Sequence, residues 1–159
     1  MGNLLAGSEI VELGIQIEIN GRDFYNTLAK QPKRASSREL FGYLAREEGK
    51  HIAVFQRILD SVHKYEPPEA YPGEYFAYLN ALAGQYVFTQ KNKGKVIAEN
   101  IASEKEAVNM GIGFEKDSIV FYDGMKKIIP ESDREVVDRL IEQEQEHLLK
   151  LLNLTSNLI

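Results

Sequence analysis

The sequence contains no cysteine. This absence excludes disulfides, zinc–thiolate sites, cysteine nucleophiles and iron centres held by cysteine. No apolar run approaches the roughly 20 residues that a membrane-spanning helix needs. The first residues have neither a basic start nor a long apolar stretch, so no signal peptide is predicted. We therefore expect a cytoplasmic protein without a membrane partner.

An excess of basic residues is also missing. Lys and Arg total 19 against 24 Asp and Glu, which gives a net charge of −5. This balance argues against nucleic acid or an anionic membrane as the partner. No glycine-rich phosphate loop or nucleophile triad occurs. Apolar residues make up 43% of the 159 residues, and we expect one domain spanning 1–159 with a sizeable core.

Two Glu-x-x-His steps are the clearest motifs in the sequence. Glu48 precedes His51, and Glu144 precedes His147, so each pair repeats 96 positions later. Residues three apart lie on one face of an α-helix, about one turn apart along its axis. A carboxylate and an imidazole at this spacing can bind the same metal ion.

The hydrophobic periodicity predicts four long helices. The first begins near Ser8, and the other three begin with Ser-x-x-Glu capping boxes at Ser36, Ser103 and Ser132. Their predicted ranges are about 8–30, 36–64, 103–129 and 132 to nearly the end. The segment of about 65–102 contains several prolines and tyrosines and predicts a long crossover, with a short helix near 75–89 and a turn at 91–95.

The helices form an internal repeat. Glu18 and Tyr25 in the first helix match Glu115 and Tyr122 in the third, 97 positions later. The Glu-x-x-His steps match between the second and fourth helices. Two hairpins joined by a long crossover can pack about a pseudo-twofold axis. The sequence therefore predicts an all-α fold, a four-helix bundle made of two hairpins joined by the long crossover.

In this bundle six candidate ligands converge. They are Glu18, Glu48, His51, Glu115, Glu144 and His147. Four carboxylates balance two divalent cations when both imidazoles are neutral, as a buried site requires. Carboxylate oxygens combined with imidazole suit iron or manganese, and zinc is possible. Glu47, Glu142 and Glu146 flank these residues and are expected to face solvent.

One Glu from each of two helices, with Glu-x-x-His from each of the other two, resembles the pattern of ferritin-like di-iron carboxylate proteins. The sequence is most similar to the rubrerythrin branch, without its rubredoxin domain. The resemblance implies two iron ions, with Glu48 and Glu144 as bridging ligands. It implies no catalytic residue beyond the ligands.

The resemblance further implies that Glu18 and Glu115 are terminal ligands and that each histidine binds one metal. Tyr25 and Tyr122 would donate hydrogen bonds to ligand carboxylates. Rubrerythrins carry an extra Glu one turn after the third-helix ligand, and here that position is Ser118. The site is thus closer to a symmetric six-ligand form, and the resemblance does not extend to redox-dependent ligand switching.

The resemblance implies an oxidoreductase that reduces peroxide or dioxygen. Because the chain lacks cysteine, electrons would come from an external donor. Two alternatives remain open at this stage: ferroxidase-type iron storage, and a non-catalytic metal-binding protein. We expect a homodimer, and the repeat leaves open whether hairpins are swapped between chains.

Overall fold

A computed structural model describes residues 7–31, 35–64 and 73–156, apart from the side chains of residues 63, 64 and 73–76. Within these ranges the chain forms six α-helices, a short 3-10 turn at Val87–Thr89 and no strand. The helices are α1 (Gly7–Lys30), α2 (Ala35–Lys64), α3 (Gly73–Gln85), α4 (Lys93–Glu99), α5 (Glu104–Met125) and α6 (Glu131–Thr155). The predicted all-α class is confirmed.

The four long helices form the predicted bundle. Helix α1 packs along α2 and helix α5 along α6, so each pair is a hairpin, and the two hairpins pack against each other. The inward face of α1 is buried from Ile10 to Leu28. On α6 the inward face is buried as far as Leu151, whereas the next residue, Leu152, is 44% exposed. None of the described helices combines the length and apolarity needed to cross a bilayer.

The crossover is more helical than the sequence indicated. Helix α4 begins at Lys93, inside the predicted turn, directly after Asn92 in the left-handed conformation at φ 60°. Helix α4 and the 3-10 turn pack on α1, whereas α3 packs on α5. The crossover therefore covers the bundle on the side of α1 and α5.

Asn20 of α1 fixes this crossover. Its buried amide donates to the carbonyl oxygens of Phe88 and Gln90, at 2.7 and 2.6 Å. Its Oδ1 accepts from the backbone amides of Lys93 and Gly94, both at 3.1 Å. A Cβ at Gly94 would overlap the carbonyl of Asn20. Only glycine therefore allows α4 to approach α1 this closely.

The helix starts agree with the capping predictions in one of three cases. Ser103 caps α5 by accepting from the amide of Glu106, as predicted. The prediction of a capping box at Ser132 is wrong, because α6 has Pro130 at its N-cap and no side-chain hydrogen bond at that position. Helix α2 begins at Ala35, which places Ser36 inside the first turn. Local pattern alone does not decide between adjacent cap positions.

Candidate metal centre

The structure brings all six predicted ligand residues into one buried cluster at the middle of the bundle. Each is at most 4% exposed. One comes from α1, two from α2, one from α5 and two from α6, in the order Glu18, Glu48 with His51, Glu115, and Glu144 with His147. Burying four carboxylates together is costly unless cations or protons balance them.

The cluster divides into two overlapping groups. In each group, one ligand atom per residue lies within 4.8 Å of all the others. Glu48 and Glu144 belong to both groups. Glu18 and His51 complete the first group, and Glu115 and His147 complete the second. This is the arrangement expected of two neighbouring ions that share two carboxylates.

The two histidines present the same nitrogen to the cluster. His51 Nδ1 lies 2.7 Å from Glu144 Oε1 and 3.4 Å from Glu18 Oε2. His147 Nδ1 lies 3.3 Å from Glu48 Oε1 and 3.7 Å from Glu144 Oε2. The two imidazole rings stack at 5.6 Å between centroids. Each half of the cluster thus combines ligands from both hairpins.

Several polar atoms of the cluster have no hydrogen-bond partner among the described residues. With the ring hydrogen of His51 on Nε2, where it reaches Gln143, His51 Nδ1 and Glu144 Oε1 face each other as two acceptors at 2.7 Å. The unpartnered buried atoms are Glu18 Oε2, Glu48 Oε1, His51 Nδ1, Glu144 Oε1 and His147 Nδ1. Buried polar groups are normally satisfied. Oxygen and imidazole nitrogen donors left facing one another fit a pair of divalent metal ions.

The ionisation of the cluster reflects the burial of four carboxylates close together. Burial, followed by the charge of Glu144, raises the pKa of Glu48 and of Glu115 well above the usual value. Burial also acts to raise the pKa of Glu144. Hydrogen bonding with Glu115 and the interactions with His147 and His51 outweigh this effect and hold that pKa below its usual value. Burial alone would lower the pKa of His51; the carboxylates of Glu18 and Glu144 outweigh it and raise that pKa to about 11. Without cations, the cluster therefore retains protons.

Two tyrosines cross between the hairpins to reach the cluster. Tyr25 of α1 donates to Glu115 Oε1 of α5 at 2.5 Å. Tyr122 of α5 donates to Glu18 Oε1 of α1 at 2.5 Å. Burial, with the nearby carboxylate charges, raises the pKa of both phenols, so both stay protonated donors. Each phenol leaves the second oxygen of its carboxylate facing the cluster.

Gln143 is a residue that the sequence analysis missed. Its Oε1 lies 2.7 Å from His51 Nε2. An amide oxygen accepts, so the ring hydrogen is on Nε2, and the lone pair of Nδ1 is available in the neutral ring. The repeat offered a signal, because Gln143 stands where the first half has Glu47. Glu47 itself is ion-paired with Lys50 at 2.6 Å, and Glu142 and Glu146 are exposed as predicted.

Ser118 is buried, and its partner comes from the crossover. The hydroxyl of Tyr86 donates to the carbonyl of Phe114 at 2.9 Å. Ser118 Oγ lies 2.8 Å from the same hydroxyl, which leaves Ser118 as the donor. Tyr86 is 5% exposed, and its ring packs on Phe88 of the crossover.

Comparisons with known proteins agree with this architecture. A solved structure from Thermotoga maritima, described as a candidate ferritin-like diiron-carboxylate protein, is similar with a TM-score of 0.71 and 24% sequence identity. The match covers 100% of both chains. At this identity it shows the ferritin-like fold. A comparison with curated protein sequences gives no significant match. The rubrerythrin family model matches residues 9–155, and the chain therefore belongs to the rubrerythrin family.

Proposed function

We propose that the cluster holds two iron ions and that the protein is an oxidoreductase that reduces peroxide or dioxygen. The observation that carries this proposal is the convergence of buried carboxylate and imidazole ligand atoms from four helices, five of which have no hydrogen-bond partner among the described residues. Four carboxylates neutralise two divalent cations, and this removes the electrostatic cost of burying the carboxylates together.

The overlap of the two groups supports separate roles for the carboxylates. Glu48 and Glu144 belong to both groups and would bridge the ions. Glu18 and Glu115 belong to one group each and would be terminal ligands. His51 and His147 would each bind one ion through Nδ1. Iron bound there would supply one-electron redox chemistry at two adjacent centres.

The surrounding residues would orient these ligands. Tyr25 and Tyr122 hold one oxygen of each terminal carboxylate and leave the other for an ion. Gln143 keeps the hydrogen of His51 on Nε2. Such hydrogen bonds to ligands commonly change metal affinity by about 10–100-fold. Burial of the whole cluster limits the access of water.

The electrons would come from a separate donor. Reduction of hydrogen peroxide to water consumes two electrons and two protons for each peroxide. The sequence has no cysteine, so it contains no cysteine-held iron centre that could store those electrons. An external reductant is thus part of the proposed reaction.

Iron loading followed by a redox cycle tests the proposal. Anaerobic titration with Fe(II) should reach two ions per chain by metal analysis. The oxidised protein should show an oxo-bridged diferric absorption that bleaches on reduction and returns when peroxide is added. Turnover with an artificial donor should depend on peroxide or dioxygen.

A matched pair of variants distinguishes a specific role of the cluster from a nonspecific effect of removing a carboxylate. Glu144→Gln removes a carboxylate shared by both groups and should abolish two-ion binding and turnover. Glu142→Gln changes an exposed carboxylate on the same helix and should change neither. The oxidoreductase proposal fails if fully iron-loaded protein turns over neither oxidant with any donor. Accumulation of many iron ions per chain would instead indicate storage.

A further inference from the structure

Two cavities lie next to each other on the side of the cluster that faces the crossover. The inner cavity has a volume of about 10 Å³ and touches Glu48 and Glu115, but neither histidine. Gly21 and Ser118, both small, leave room for it. The outer cavity has a volume of about 110 Å³ and lies between the end of α3 and α5. Tyr86 is part of the wall of both.

The outer cavity opens at the surface. Its rim includes Gln85 and Asp117, both exposed, and Val120, which is 45% exposed. Its buried wall includes Phe121 and Tyr86, which are 1% and 5% exposed, and of these two only Tyr86 also lines the inner cavity. A solute that enters the outer cavity is therefore separated from the cluster by the Tyr86 side chain.

Two neutral hydrogen bonds hold Tyr86 in this position. Its hydroxyl contacts the Phe114 carbonyl at 2.9 Å and Ser118 Oγ at 2.8 Å. Its ring stacks on Phe88 at 5.8 Å between centroids. No charged group of the described residues bonds to this hydroxyl, so its displacement does not leave a buried charge without a partner.

The inner cavity selects by size and charge. A cavity in which the centre of a water-sized sphere can move through about 10–15 Å³ accommodates about one water molecule. Two cluster carboxylates line it together with apolar side chains such as Ile17 and Phe114. An anion would lose its hydration on entering this buried cavity, which is costly, whereas a small neutral molecule with hydrogen-bonding groups would be accepted.

We propose that Tyr86 is the gate between solvent and the metal centre, and that it admits small neutral molecules of the size of hydrogen peroxide while excluding bulky ones. This inference rests on the proposed function, because the ligand is the proposed substrate. Tyr86 acts by position and does not take part in the chemistry. Displacement of its ring joins the two cavities into one path.

Three variants test the gate. Tyr86→Ala removes the ring and should join the cavities. Tyr86→Phe keeps the ring but removes both hydroxyl contacts. Tyr78→Ala, on α3 and 48% exposed, touches neither cavity and is the control. Stability and iron stoichiometry are measured first, so that only folded proteins with two ions are compared.

The main readout is ligand binding without turnover. Nitric oxide association with the diferrous protein should be about tenfold faster in Tyr86→Ala and several-fold faster in Tyr86→Phe, as expected for an opened gate. Tert-butyl hydroperoxide should oxidise the iron of Tyr86→Ala readily, but that of the unsubstituted protein and of Tyr78→Ala slowly. Unchanged nitric oxide association in Tyr86→Phe and Tyr86→Ala would overturn the gate, and Tyr86→Phe alone decides if Tyr86→Ala does not fold.

A second readout needs no metal. In metal-free crystals under xenon pressure, xenon should enter the space beside Glu48 and Glu115 in Tyr86→Ala and should stay out in the unsubstituted protein. Equal xenon density in both would count against the gate. If the protein does not bind two ions, the proposed function fails, whereas the xenon experiment still reports on the path. The two failures are therefore distinguishable.

Discussion

Tyr122 of α5 donates a 2.5 Å hydrogen bond to Glu18 of α1, across the interface between the two hairpins. Tyr25 makes the reciprocal contact with Glu115. Each hairpin thus supplies the phenol that orients a carboxylate of the other. The pairing couples the packing of the bundle to the geometry of the proposed metal centre.

Replacing either tyrosine by phenylalanine should weaken both stability and metal binding. Tyr122→Phe leaves a buried oxygen of Glu18 without its donor, which costs about 1–3 kcal/mol. Tyr25→Phe should cost a similar amount at Glu115. Urea unfolding of the metal-free protein measures the first effect, and metal titration should show affinity falling by about 10–100-fold. Tyr78→Phe, at a half-exposed position outside the cluster, should leave metal affinity unchanged; an equal loss of affinity in all three variants would contradict this role.

Gln143 should affect one metal position more than the other. Gln143→Leu removes the acceptor of His51 Nε2 and frees the ring to rotate or change tautomer. We expect binding of one ion to weaken by about 10–100-fold, with the other ion little affected, as a two-step titration would resolve. Gln143→Glu retains an acceptor, so its binding should stay close to that of the unsubstituted protein. Gln145→Leu, at an exposed position, should have no effect. A uniform loss at both positions would argue against this assignment.

Metal loading should release protons. The metal-free cluster holds them because the pKa of His51 is raised to about 11 and the pKa values of Glu48 and Glu115 are raised by burial and Glu144. Ligands must lose their protons to bind a cation, so affinity should rise with pH. Calorimetric titration at pH 7 in two buffers of different protonation enthalpy measures the number released. Proton uptake, or none, would show that the cluster is not the binding site.

The approach of α4 to α1 should make Gly94 intolerant of a side chain. Gly94→Ala places a Cβ against the backbone of Asn20, which cannot move aside, and should destabilise the fold by about 1–3 kcal/mol. Gly113→Ala is the matched control on α5, where a Cβ meets nothing within 4 Å. It should stabilise the helix by up to about 1 kcal/mol. Thermal unfolding compares the two, and a neutral Gly94→Ala would contradict the close approach.

Much of the cluster could be predicted because it repeats. Glu48 and Glu144 lie on strongly periodic helices, where the phase of the helix places them inward, and the repeat supplied their counterparts. The apolar residues near the end of α6 did not by themselves show which of them face inward: Leu151 is buried, whereas Leu152 is 44% exposed. The homodimer and the external electron donor stay predictions.

The residues that the sequence did not reveal depend on the crossover. Asn20 has no helical pattern that marks it, since its four partners lie about 70 residues away in the chain. Tyr86 and Gly94 lie in a segment of weak periodicity. Contacts of this kind join elements whose relative placement follows only from packing.

The sequence by itself determined the four long helices, the hairpin repeat and the identity of the buried glutamates and histidines, because spacing along a helix fixes which side chains share a face. Only the tertiary structure decided which tyrosine meets which carboxylate, that Gln143 contacts His51, and that Tyr86 lines both cavities beside the cluster. These contacts depend on how one helix is rotated and displaced against another. That arrangement is set by the packing of side chains from distant parts of the chain.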